Sequence, residues 1–139
     1  MTTLFSKARS NYVHIADING LIASLRPFPQ IRIVADPTNT TLMCFMVRDS
    51  DQNGWPTMSE DEDGHETEFD VTKHICPFLE QDQVMIMMEV GYEEQRAPSG
   101  FAVAYNQTGQ RCSVNLQSIY AAAAQTFKVP VQSISRCEF

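Results

Sequence analysis

Residues 41–47 read TLMCFMV, apolar on both of the faces a strand presents, because successive side chains point to opposite sides. A strand with one wet face would alternate, so this run fits a strand covered on both sides. Residues 83–90, QVMIMMEV, have the same character. Upstream of the first run, Ile31, Ile33 and Ala35 alternate with Arg32 and Val34, and a DPTNTT turn joins that strand to 41–47. Downstream of the second, Phe101–Tyr105 and Gln110–Val114 flank an NQTG turn. Strands joined by short turns pair antiparallel.

Helices fill the gaps. Asp17 caps a helix whose Ile18, Leu21, Ile22 and Leu25 stand at i, i+3, i+4 and i+7, and Pro27 and Pro29 end it. Asp70 caps a second, with Val71, Ile75, Phe78 and Leu79 on its apolar side and Pro77 shortening it. Asn115 caps a third, where Leu116, Ile119, Tyr120, Ala123 and Phe127 share a face and the Ala121–Ala124 run favours helix. Asn11–Ala16 reads as a first strand and Val131–Ser135 as a last one. The reading is a single α+β domain over residues 1–139. It has a mostly antiparallel sheet of about six or seven strands, two or three helices packed on it, and an acidic hairpin insertion.

That insertion is residues 49–70, DSDQNGWPTMSEDEDGHETEFD. It holds nine carboxylates and no Lys or Arg. Outside it ten basic side chains face eight acidic ones, a balance of +2, so the net charge of −7 is local. Asp63-Gly64 is a two-residue turn signal between WPTMSE and HETEF, and Pro56 confines the first arm to an edge. Asp49, Asp51, Asn53, Gly54 and Glu60 fit D-x-[DN]-x-[DN]-G-x5-E, and those twelve residues resemble an EF-hand calcium loop. The resemblance implies oxygen ligands from Asp49, Asp51, Asn53 and Glu60. The preceding stretch is strand-like, however, and Pro56 stands where a backbone donor is expected.

Catalytic signatures are missing. His65-Glu66-Thr67-Glu68-Phe69 ends in Phe where the zinc-protease pattern needs His, and Ser99 lacks the first glycine of a nucleophile elbow. His74 and Cys76 stand two apart, which on a helix does not bring them face to face. His14 reads as a core or edge residue. Cys44, Cys76, Cys112 and Cys137 form no CxxC pair and read as reduced, structural thiols. Met43, Met46, Met85, Met87 and Met88 read as core filler. No cofactor motif is present. The basic residues form no stripe, which argues against direct nucleic-acid binding, and no stretch has signal-peptide or transmembrane character, so the default address is the cytoplasm.

What remains is charge. Glu60, Asp61, Glu62, Asp63, Glu66 and Glu68 on a hairpin can imitate a row of phosphates, with Trp55 beside them as an aromatic anchor. The expectation is a small acidic non-enzymatic binding protein that docks this hairpin on a basic, nucleic-acid-binding type of surface on a protein partner. By composition it is comparable to immunity proteins, nuclease inhibitors and phage anti-defence proteins. The alternatives are an enzyme or small-ligand domain without a legible motif, and a calcium module through 49–60. Homodimerisation through an exposed strand edge is also open to such a sheet.

Overall fold

A computed structural model describes residues 4–47, 54–93 and 98–137. Its main sheet contains β1 (Leu4–Ser10), β2 (Val13–His14), β3 (Ile31–Ala35), β4 (Leu42–Val47), β7 (Met85–Glu93), β8 (Pro98–Tyr105) and β9 (Arg111–Asn115). β5 (Met58–Glu60) and β6 (Glu66–Glu68) form a separate two-stranded hairpin. Helices α1 (Ile18–Ser24), α2 (Val71–His74) and α3 (Ser118–Phe127) complete the α+β domain. Every pairing among the described residues is antiparallel. Across the sheet β3 lies beside β4, then β1 with β2, then β7, β8 and β9.

β1, the central strand, lies upstream of the expected first strand at Asn11–Ala16. Its sequence LFSKARS carries no apolar alternation: Ser6, Ala8 and Ser10 share one side, Lys7 and Arg9 the other. β1 and β2 are one strand broken by a bulge. Arg9 pairs with Met46 and Val13 with Met43, so four steps along one chain oppose three along the other. Side chains repair the ladder there. The Phe45 N–H donates to Ser10 Oγ at 2.8 Å. Asn11 acts as a spare peptide group: its Oδ1 accepts the Ile86 N–H at 2.8 Å and its Nδ2 donates to the Val84 carbonyl at 3.0 Å.

Two of the three expected caps are present: Asp17 Oδ1 accepts the Gly20 N–H at 2.9 Å and Asp70 Oδ1 the Thr72 N–H at 3.0 Å. The third helix starts later than expected, with Gln117 at its N-cap and no side-chain cap bond; Asn115 ends β9, and its Oδ1 accepts the Ser118 N–H at 2.9 Å across the turn into the helix. Pro77 ends α2 after one turn and opens a 3₁₀ turn, Cys76–Phe78. α1, α2 and that turn cover one face of the sheet, where Leu21, Phe28, Phe45, Ile75, Leu79 and Met85 are fully buried. Each such side chain contributes about 1.5–3 kcal/mol by leaving water.

Two expectations fail at the C-terminus. Val131–Ser133 is a 3₁₀ turn rather than a strand, closed by the Ser133 and Ile134 N–H groups on the Pro130 and Val131 carbonyls. The apolar stripe expected on the third helix is not buried either: Leu116 lies ahead of α3, it is exposed as are Ile119 and Phe127, and Tyr120 alone of residues 106–137 is buried. Met88, expected in the core, is 52% exposed because it lies on the sheet face opposite the helices.

Candidate functional site

The hairpin keeps its shape through its turn. Glu60 pairs with Glu66, and the Asp61 N–H donates to the His65 carbonyl at 2.9 Å, which leaves a loop of Glu62, Asp63 and Gly64. A two-residue turn of the kind Asp-Gly favours needs positive φ at both central residues. Here Gly64 alone has it, at 82°. The Asp61 side chain selects the longer loop, because its Oδ1 accepts the N–H groups of Asp63 and His65 at 3.0 and 2.8 Å.

Alternation then sorts the arms into two faces. Ser59 and Thr67 pair on the inner face, and the Ser59 hydroxyl donates to the Pro27 carbonyl. Met58, Glu60, Glu66 and Glu68 share the outer face, and Asp61, Glu62 and Asp63 form the tip. All six carboxylates from Glu60 to Glu68 are exposed. Glu60 stands directly across from Glu66, an arrangement of like charges that costs stability. Met58, 46% exposed, adds an apolar edge that charge patterning does not bring to notice.

Trp55 sits at the base. Its ring packs against the core, and its Nε1 is shut off from water without a hydrogen-bond partner among the described residues. Its backbone N–H donates to Glu89 Oε1 at 2.7 Å. A Cβ at Gly54 would meet the Glu89 side chain, with Cγ at 2.8 Å, so the carboxylate would have to shift to admit it. At the other end Phe69 packs on Phe28 with ring centroids 5.0 Å apart. Trp55 and Phe69 thus brace the hairpin, and the carboxylates are what it presents.

Of the calcium loop, Asp49, Asp51 and Asn53 lie outside the described residues. Gly54 does not take the positive φ seen at Gly64 and Gly109, and Glu60 belongs to a strand facing Glu66 rather than to a helix. Asp61, Asp63 and His65 bring one ligand atom each within 4.8 Å of one another, all exposed. The turn hydrogen bonds account for that closeness, and His65 Nδ1 lies 3.3 Å from Asp61 Oδ2.

His74 is buried between the Phe28 and Phe69 rings, and its Nδ1 accepts the Asp70 N–H at 3.0 Å. Burial, seconded by the Asp70 carboxylate, pushes the Cys76 thiol up to about 11, which leaves almost no thiolate at neutral pH. His14 is half-buried at the strand edge, its Nδ1 3.5 Å from Thr41 Oγ1. Among the described residues no helix is long and apolar enough to cross a membrane. Comparison of the chain with protein-family models, with curated proteins and with solved structures finds no match.

Proposed function

We propose that this chain is a non-enzymatic binding protein, an inhibitor or regulator, whose β5–β6 hairpin docks on a basic, phosphate-binding surface of a protein partner. The observation that carries the reading is the outer face and tip of the hairpin, six exposed carboxylates held on a braced two-stranded scaffold. Two three-residue arms and a turn span roughly 15 Å, so six charges give about one per 2.5 Å, against about one per 1.7 Å of duplex DNA. A solubilising surface mixes charges of both signs. This one is uniform and keeps an unfavourable Glu60–Glu66 pair, the kind of local cost retained where a surface has a use. Met58 supplies the apolar contact that a purely electrostatic encounter lacks, and the negative field speeds capture of a basic partner.

The test is capture from lysate of the source cells by immobilised protein, with a hairpin variant carrying Glu60→Gln, Asp61→Asn, Glu62→Gln and Asp63→Asn as comparison. A basic protein held by the wild type, released by salt and not held by the variant is the expected result. Equal retention by both, or retention of nothing, contradicts the reading.

A further inference from the structure

On the sheet face opposite the helices, β7 bears Met88 and Val90 and β9 bears Val114, 52, 56 and 66% exposed, with no layer above them among the described residues. Leu116 extends this apolar surface: it lies against Gly100, where a Cβ would sit 3.1 Å from Leu116 Cδ1 and 3.5 Å from Val90 Cγ1. The chain then enters α3, whose Ile119 and Phe127 are 61 and 71% exposed. One chain therefore carries a sheet face lacking a helix and a helix lacking a sheet.

The areas match an interface. With Val129 and Val131, these residues leave roughly 800 Å² in water on the two surfaces together, the share one partner brings to a standard-sized stable interface. All five residues of β9 are exposed. Residues 98–137 contain no carboxylate, and their charges are Arg111, Lys128 and Arg136; Lys7 and Arg9, paired with Val90 and Met88 on the same sheet face, are basic too, so the apolar area rather than charge attraction must hold this contact.

We propose that a second copy of this chain covers this region, α3 of each copy lying on the β7–β9 face of the other. The contact is self-complementary, as a two-fold dimer requires. It uses the face opposite the helical layer on which the hairpin is braced, so each dimer presents two acidic hairpins. Its charges repel mildly rather than attract, so salt does not dissolve it, unlike hairpin docking.

Sedimentation equilibrium of the full chain tests the proposal, alongside an Ile119→Glu, Phe127→Glu variant and, from the other half of the contact, Val90→Glu. The wild type is expected at twice 15.7 kDa at micromolar concentration, in both low and 0.5 M salt. Its unfolding temperature should rise with protein concentration, as mass action requires of a dimer. Both variants should sediment as monomers that still unfold cooperatively, because none of the three side chains is in the core. A wild type that stays monomeric at 100 micromolar overturns the proposal, as does a dimer that persists in both variants.

Discussion

Ser10 to Ala removes one oxygen, and the geometry at the bulge gives it a large effect. Ser10 is 2% exposed. Its Oγ accepts the Phe45 N–H at 2.8 Å and donates to the Asn11 carbonyl at 2.8 Å. Phe45, fully buried in β4, has its other edge engaged with β3 through the Ile33 pairing, and the bulge moves β1 out of register on this side. Without the hydroxyl the Phe45 N–H is a buried donor without an acceptor, which costs about 1–3 kcal/mol, and the lost bond to Asn11 adds about 0.5–1 kcal/mol. The alanine methyl group returns little, since the hydroxyl occupied the same space. The expected loss is about 2.5 kcal/mol, or a drop of about 8 °C in unfolding temperature for a domain of this size. Urea denaturation at fixed protein concentration should show the midpoint falling with an unchanged slope. A loss below about 0.5 kcal/mol would refute the reasoning, because the ladder must then close without the serine.

Gly54→Ala should destabilise by about 1–3 kcal/mol, since its Cβ displaces the Glu89 carboxylate that accepts the Trp55 N–H; thermal unfolding measures it, and an unchanged midpoint would show that Glu89 moves freely. In the native protein at pH 8, Cys112 and Cys137 should react with a chromogenic thiol reagent well before the buried Cys44 and Cys76, while simultaneous reaction of all four would contradict the assigned burial. The Asp70 carboxyl is held below the usual range, first by the Thr72 hydroxyl and then by neighbouring N–H groups and His74. A depressed folded value means that its stabilisation is present above about pH 3.9, the ordinary carboxylate value, and is lost as pH falls through the folded value. Asp70→Ala should therefore cost about 1 kcal/mol at pH 7, the usual worth of such a cap, and much less near pH 2. An equal cost at both pH values would exclude the carboxylate as the cause.

The parts of the fold legible in sequence are those where a local rule and the tertiary structure agree. Ile31–Ala35 alternates because one of its faces is in the core, and Asp17 and Asp70 cap because an oxygen there meets free N–H groups. The central strand was illegible for a physical reason. Ser6, Ala8 and Ser10 are small on the helix-covered side, and Lys7 and Arg9 stand on the other, so periodicity carries no signal. The apolar face of α3 was legible as a pattern but not in its destination, since a helical stripe says that something must cover it and not which surface does. Met88 misled in the same way: an apolar run covered on one face reads like one covered on both. At the hairpin, composition placed the carboxylates and the turn. The bracing role of Trp55 depends on Glu89, 34 residues away, which no local pattern could place beside it.

The most direct test of the hairpin as a phosphate imitation is competition. Once a basic partner has been captured, labelled duplex DNA bound to it is titrated with this protein and the released fraction followed by fluorescence anisotropy. Wild-type protein should displace the DNA and the Glu60→Gln, Asp61→Asn, Glu62→Gln, Asp63→Asn variant should require at least tenfold more. Displacement at the same concentration by both would contradict the account and assign the binding to another surface.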